Sequence, residues 1–245
     1  MKVCTVCNQK GGAGKTTTAA ALAAGLARRG LRVLAVDTDA QHSLTAISAA
    51  QAVPCGLFDV IDGKKKAAAA ILPTAQGFDI LAGDIRLSSV PKGYALDTLR
   101  GVLASVSKCY DFCIIDTPPA LSVVTLSALA AADAAIVTAQ PDVLSLYGLD
   151  QVSETIEAVR PYNPALSVGV LLTRYSDRRN LDKTMRDAIS ERAQQMGAFV
   201  YNTTIRAGVS VPEAQLLRLD IYTASPRAGV TADYLSFIDE FLKGV

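Results

Sequence analysis

Nearly unbroken apolar runs punctuate the chain: Val-Cys-Thr-Val-Cys at 3–7, Val-Leu-Ala-Val-Asp at 33–37, Phe-Cys-Ile-Ile-Asp-Thr at 112–117 and Val-Gly-Val-Leu-Leu at 168–172. None alternates like a strand with one wet face. Runs of this kind suit strands buried on both sides, as in a parallel sheet covered by helices. The pattern predicts strands at Lys2–Asn8, Arg32–Asp37, Phe78–Ala82, Asp111–Asp116, Ala134–Ala139, Ser167–Leu172 and Ala198–Tyr201. It predicts helices at Lys15–Arg29, Ala95–Val106, Ser122–Ala131, Ser145–Val159, Leu181–Met196 and Thr231–Lys243. Such alternation implies a doubly wound α/β fold, a mostly parallel sheet with helices on both faces. No internal repeat or long linker divides the chain, so residues 1–245 are expected to form one domain, the irregular stretch Ala49–Ala75 included.

Composition narrows the class. The chain has 245 residues, 50% of them hydrophobic, and no low-complexity polar tract, which excludes disorder. With 24 basic and 23 acidic residues it carries a formal charge of +1, so contact with nucleic acid has to come from a local patch. Aromatics are only 6% and tryptophan is absent, so the core is expected to be Ala, Val, Leu and Ile. The longest apolar stretch, Ala120 to Ala139, is broken by Ser122, Thr125, Ser127 and Asp133. That suits a helix and a buried strand better than a membrane span. Five cysteines without a secretory signal point to reduced thiols in the cytoplasm.

The chemistry begins where the first strand ends, at Asn8-Gln9-Lys10-Gly11-Gly12-Ala13-Gly14-Lys15-Thr16-Thr17. The ordinary phosphate loop has glycine where Gln9 stands, so the strict pattern fails. Its physical content survives. Glycines let backbone N–H groups curl around a phosphate, and the dipole of the following helix favours negative charge. Lys15 can reach terminal phosphates and the Thr16 hydroxyl can bind Mg²⁺.

These residues resemble the deviant Walker A motif of the ParA/MinD family of ATPases, which have a P-loop NTPase fold. The resemblance extends to Asp37-Thr38-Asp39-Ala40-Gln41-His42-Ser43 and to the Walker B stretch Cys113–Pro119. Leu171-Leu172-Thr173, Arg178, Asn180, Leu181, Glu213-Ala214, Pro226-Arg227 and Tyr234 resemble the ParA branch. It implies ATP and Mg²⁺ as cofactors, cradled by Lys10, Gly11, Gly12, Ala13, Gly14, Lys15, Thr16 and Thr17. Lys10 is implied to reach a partner's nucleotide across a dimer, and Asp39 to position the attacking water. Thr16, Asp39 and Asp116 are the implied metal-side groups; Lys10, Lys15 and Asp39 are the implied catalytic ones. Ala40, His42 and Ser43 depart from the family's proline, glycine and asparagine, but both carboxylates remain. His42, the only histidine, reads as a loop residue.

The ParA branch implies a homodimer with ATP, non-specific DNA binding and a ParB-like activator. It also implies a cytoplasmic protein, nucleoid-associated when ATP-bound. The DNA candidates are Arg178, Arg179, Lys183, Arg186 and Arg206; Arg179, Lys183 and Arg186 are spaced to share a helix face. A solvated charged face explains the same residues, and Ser210 stands where relatives carry a basic residue. The alternative is a MinD-like or cargo-positioning ATPase acting on membrane or protein. Against stable membrane attachment, the C-terminal helix carries Asp239 and Glu240 rather than a basic cluster, so docking onto the core is expected. A cysteine-based metal reading is weaker. Cys4 and Cys7 should point to opposite strand faces, and core packing is expected for them and for Cys109 and Cys113. With the first strand starting at Lys2, no attached operator-binding domain is expected.

Overall fold

The computed structural model describes residues 1–48 and 53–244; residues 49–52, inside the irregular stretch named above, and Val245 lie outside the described residues. The strands are β1 (Lys2–Cys7), β2 (Val33–Asp37), β3 (Ile71–Pro73), β4 (Asp79–Leu81), β5 (Phe112–Asp116), β6 (Ala134–Ala139), β7 (Ser167–Leu172) and β8 (Phe199–Val200). They form an eight-stranded sheet in the order β3-β4-β2-β5-β1-β6-β7-β8. Every pairing is parallel except β3 with β4. This is the α/β fold the apolar runs imply. The chain leaves β1 toward β2 on one side and later returns past it to β6 on the other. The loop after β1 therefore sits at a topological switch, where open α/β sheets bind ligands.

Helices cover both faces. On one lie α1 (Lys15–Ala27), α2 (Ser43–Ser48), α10 (Ile221–Ala224) and α11 (Gly229–Gly244), packed through Leu22, Leu26, Leu44, Ile221, Phe237 and Phe241. On the other lie α3 (Leu57–Ile61), α4 (Ala67–Ala70), α5 (Thr98–Ala104), α6 (Val123–Ala131), α7 (Val143–Val159) and α8 (Asn180–Gln195). The remaining helix, α9 (Ser210–Leu217), leaves Leu216 and Leu217 exposed. Cys7 faces the α5–α8 core and Cys4 the α1–α11 core, on opposite sides of one strand.

Departures from the predicted elements have local causes. The short helices α2, α3, α4, α9 and α10 and the three-residue strand β3 escape periodicity, because too few residues repeat to reveal a face. Asp142, not Ser145, starts α7: its carboxylate accepts the Ser145 amide at 2.9 Å as an N-cap. Cys109 corrects the core-packing expectation. It is exposed in the turn before β5, whereas Cys4, Cys7 and Cys113 are buried. As expected, α11 docks, burying Tyr234, Phe237, Ile238 and Phe241. Its acidic residues also serve that docking: Asp239 pairs with Arg29, and Glu240 accepts the Asn202 and Thr203 amides at 2.7 and 2.9 Å. Among the described residues no helix is long and apolar enough to cross a membrane.

Candidate nucleotide-binding site

The loop between β1 and α1 is held from three directions. Asn8 donates to the Thr138 carbonyl at the end of β6 and accepts the Lys10 amide at 2.8 Å. The Gln140 side chain donates to the Gly12 carbonyl at 2.7 Å, and Thr173 donates to the Ala13 carbonyl at 3.0 Å. Gly12 and Gly14 have φ of 73° and 90°, the left-handed region where a side chain is strained. Gly14 caps α1 without a side-chain hydrogen bond. The first-turn amides of α1 are thereby left open to an anion at the positive end of the helix.

Charges converge on that end. Lys15 is almost fully buried, with its ammonium 3.2 Å from the Lys10 carbonyl. Burial lowers its pKa, and the nearby carboxylates of Asp116 and Asp39 push the other way. Thr16 donates its hydroxyl to Asp116 at 2.7 Å. Asp116 is fully buried at the end of β5, and its second oxygen, Oδ1, has no hydrogen-bond partner. Directly beside it in register sits Asp37 at the end of β2. Burial first, then their mutual repulsion, raises the Asp116 carboxyl well above the usual carboxylate range. Asp37 is pushed up to about 6, mainly by burial.

The two carboxylates of the Asp-Thr-Asp segment are used differently. Asp37 is consumed by the protein: it accepts the Thr45 amide and hydroxyl at 2.8 and 2.7 Å and the Asp39 amide at 3.1 Å. Asp39 is half-buried, and its carboxylate accepts only the Gln41 amide, at 2.9 Å, among the described residues. His42 occupies the following turn with φ of 42°, its ring nitrogen 3.2 Å from the Ala40 carbonyl.

Lys10 points elsewhere. Its ammonium pairs with Asp142 at the N-terminus of α7, away from the end of its own loop. The two residues that follow Asp142 in the chain, Val143 and Leu144, are exposed and apolar, as is Tyr147 further along α7. The loop opens on a cleft of about 640 Å³ that runs past Thr173 and Arg174 to Val209, Val211, Pro212 and Tyr234. That volume suits a nucleotide-sized ligand. Sequence reasoning assigned no role to Gln140, Asp142, Thr45 or Arg174, which lie far from the loop in the chain. Arg174 alone left a local trace, a residue just past a strand; its φ of 55° is visible only in three dimensions.

The basic residues form a less uniform group than their spacing suggests. Arg178, Arg179 and Arg206 line one surface depression of about 430 Å³, together with Asp177 and Asp233. Arg206 is already engaged, donating twice to Asp233 at 2.7 and 2.8 Å. Arg179 flanks α8 as its N-cap and lies 3.5 Å from Asp182. Arg186 leans over the Tyr175 ring at 5.8 Å. Arg178 and Lys183 are exposed and have no ion pair among the described residues. The expected face of Arg179, Lys183 and Arg186 is therefore divided: two of its members are occupied and one is free.

A mostly parallel sheet with a glycine loop at its switch point, a buried lysine beside a half-buried threonine, and paired strand-end carboxylates defines an α/β phosphate-loop nucleotide-binding protein. A family model described as an AAA domain matches residues 1–168. The chain is 37% identical to the chromosome partitioning protein ParA of Caulobacter vibrioides, over 87% of this chain and 84% of that one. It is 32% identical to the sporulation initiation inhibitor protein Soj of Bacillus subtilis, over 98% and 97% of the two chains. The crystal structure of a cobyrinic acid a,c-diamide synthase from Mycobacterium smegmatis, with bound ADP and magnesium, superposes with a TM-score of 0.81. That match has 30% identity and covers 99% of this chain and 94% of the other. The chain belongs to the ParA/MinD family of ATPases.

Proposed function

We propose that this protein is a ParA-type partitioning ATPase, an ATP-driven dimerisation switch that binds DNA non-specifically and hydrolyses ATP when a ParB-like partner stimulates it. One observation carries the reading furthest. The loop that would hold the phosphates is complete within the chain, while the Lys10 ammonium in the same loop is held by Asp142 at the start of α7, next to the exposed Val143 and Leu144. A lysine so placed serves a second subunit better than its own.

The residues divide the work as follows. The open amides of Gly11 to Thr17 and the Lys15 ammonium bind the phosphates of ATP. Thr16 and Asp116 fit Mg²⁺: a hydroxyl faces the phosphates, and the orphaned buried oxygen of Asp116 can accept from a metal-bound water. When bound, Mg²⁺ supplies charge neutralisation across the phosphates. Among the described residues no cluster of three or more His, Cys, Asp or Glu could hold a metal by itself, so nucleotide oxygens have to complete the shell. Asp39, with few protein partners and facing Lys15, orients the attacking water. Lys10 leaves Asp142 and neutralises the partner's phosphates, coupling hydrolysis to assembly.

Arg178 and Lys183 support DNA as the surface, because their charges are not spent on intramolecular pairs. The binding assay compares ATP, ADP and no nucleotide on double-stranded DNA over a salt series. ATP alone should give binding, with log K falling against log salt at about −0.9 per neutralised phosphate. No ATP-dependent binding at low salt refutes the DNA reading. Co-sedimentation with liposomes under ATP would then favour the membrane-positioning alternative.

A further inference from the structure

Asp39 is held as specifically as it is aimed. Asp39 lies beyond the end of β2, in a turn that continues into α2. Its own side chain takes little part in fixing it, accepting only the neighbouring Gln41 amide. The backbone does that work. The Asp39 amide donates to Asp37 Oδ1 at 3.1 Å, and Asp37 Oδ2 is in turn gripped by Thr45 through its amide at 2.8 Å and its hydroxyl at 2.7 Å. The Thr45 hydroxyl also accepts the Gly83 amide at 2.9 Å, just past β4. One proton and one lone pair of a single buried hydroxyl thus join three segments: the end of β2, the start of α2 and the end of β4.

Gly83 closes the frame by contact. A Cβ there would lie 2.9 Å from Asp37 Cγ, 2.9 Å from the Asp37 carbonyl and 3.0 Å from the Asp39 carbonyl. No side chain fits without moving those atoms. Because the groups are buried, each bond to the carboxylate is charge-assisted and little screened. The carboxylate of Asp37 cannot turn without shifting either Thr45 or Asp39.

We infer that Thr45 is a positioning residue for hydrolysis: its hydroxyl, shared between Asp37 and the Gly83 amide, sets the place from which Asp39 meets the attacking water. This rests on the proposed role of Asp39. Thr45 touches neither the phosphate loop nor the cleft, so it acts on turnover and not on nucleotide affinity. Displacement of a reacting group by about 1 Å can cost on the order of 100-fold in rate.

The test uses the full chain with ATP and Mg²⁺ and compares Thr45→Val, which removes the hydroxyl at constant shape, with Thr45→Ser, which keeps it. Thr45→Val should lower kcat about tenfold or more, with KM and ADP affinity within about twofold of wild type. Thr45→Ser should recover most of the loss. Equal losses in both variants, an unchanged kcat in Thr45→Val, or a parallel loss of ADP affinity overturns the inference. Should Thr45→Val fail to fold, Gly83→Ala takes its place: it keeps the hydroxyl but pushes on the Asp37 and Asp39 backbone. The same split between kcat and KM is then required, and its absence counts against the frame. Amide hydrogen exchange supplies a readout independent of turnover. Faster exchange at Asp39 and Gly83 in Thr45→Val supports the frame, and unchanged protection overturns it. A wild-type chain with no ATP turnover sinks the proposed function and the hydrolytic role of Thr45 with it, while exchange separately decides whether Thr45 holds Asp39.

Discussion

Asp37 and Asp116 end neighbouring strands side by side, and both are fully buried. Two carboxylates in that position resist ionising together, and burial raises each. The folded chain therefore binds protons more tightly here than the unfolded chain does. The stability this contributes is complete below the unfolded carboxylate pKa and is lost as pH rises through about 6, the value for Asp37. The nucleotide-free protein should unfold at a higher temperature at about pH 5.5 than at about pH 7.5, with a slope of at most about 1.4 kcal/mol per unit for one proton, fading above the folded pKa. Asp116→Asn removes one charge at constant shape and should flatten that slope while raising the melting temperature at the higher pH. A slope unchanged by the substitution means the proton sits elsewhere. The same variant should lose Mg²⁺-dependent turnover, separating the cost of the site from its use.

At the scale of elements, function concentrates where helices begin. The bare N-terminus of α1 is left open for phosphate, whereas α7 is capped by Asp142, whose other oxygen takes Lys10. The start of α8 presents a mixed surface in which neighbouring carboxylates decide which cations remain available. This makes the arginines and lysine unequal. Arg178→Ala and Lys183→Ala should each weaken ATP-dependent DNA binding and reduce the magnitude of the salt slope by about 0.9. Arg206→Ala should alter the slope less, because Asp233 already neutralises that guanidinium. Binding isotherms at several salt concentrations distinguish these outcomes. An equal effect from all three would mean the Arg206–Asp233 pair opens on DNA.

For the whole molecule, a formal charge of +1 leaves little long-range attraction for DNA. A monomer of such balanced charge should bind weakly, and pairing two such surfaces would make attachment depend on assembly. On the proposed function, Lys10 is the residue on which that assembly would turn. Lys10→Ala should leave the chain monomeric in ATP where wild type dimerises, as read by sedimentation velocity. A wild-type profile in the variant removes its role across the interface. The cleft is built by residues from the loop after β1, the segment just past β7, the segment from Ile205 to Pro212 and α11, so it exists only once these distant parts of the chain have come together.

The sequence by itself determined the architecture and the phosphate loop. Apolar runs such as Phe112–Asp116 are long enough to declare a strand buried on both faces. Gly11 to Thr17 are contiguous, so their chemistry can be read locally. The short elements and the supporting contacts were not legible there, because they depend on residues brought together from distant parts of the chain. The bond from Thr16 to Asp116 spans 100 residues, and the pair of Lys10 with Asp142 spans 132. Spacing put Arg179, Lys183 and Arg186 on one face, yet only packing against Asp182 and Tyr175 decided which cation stayed free. The motif resemblance singles out Asp39 over its neighbour Asp37 without a physical reason. Tertiary structure supplies that reason, burying one carboxylate as an anchor and leaving the other half-buried near Lys15.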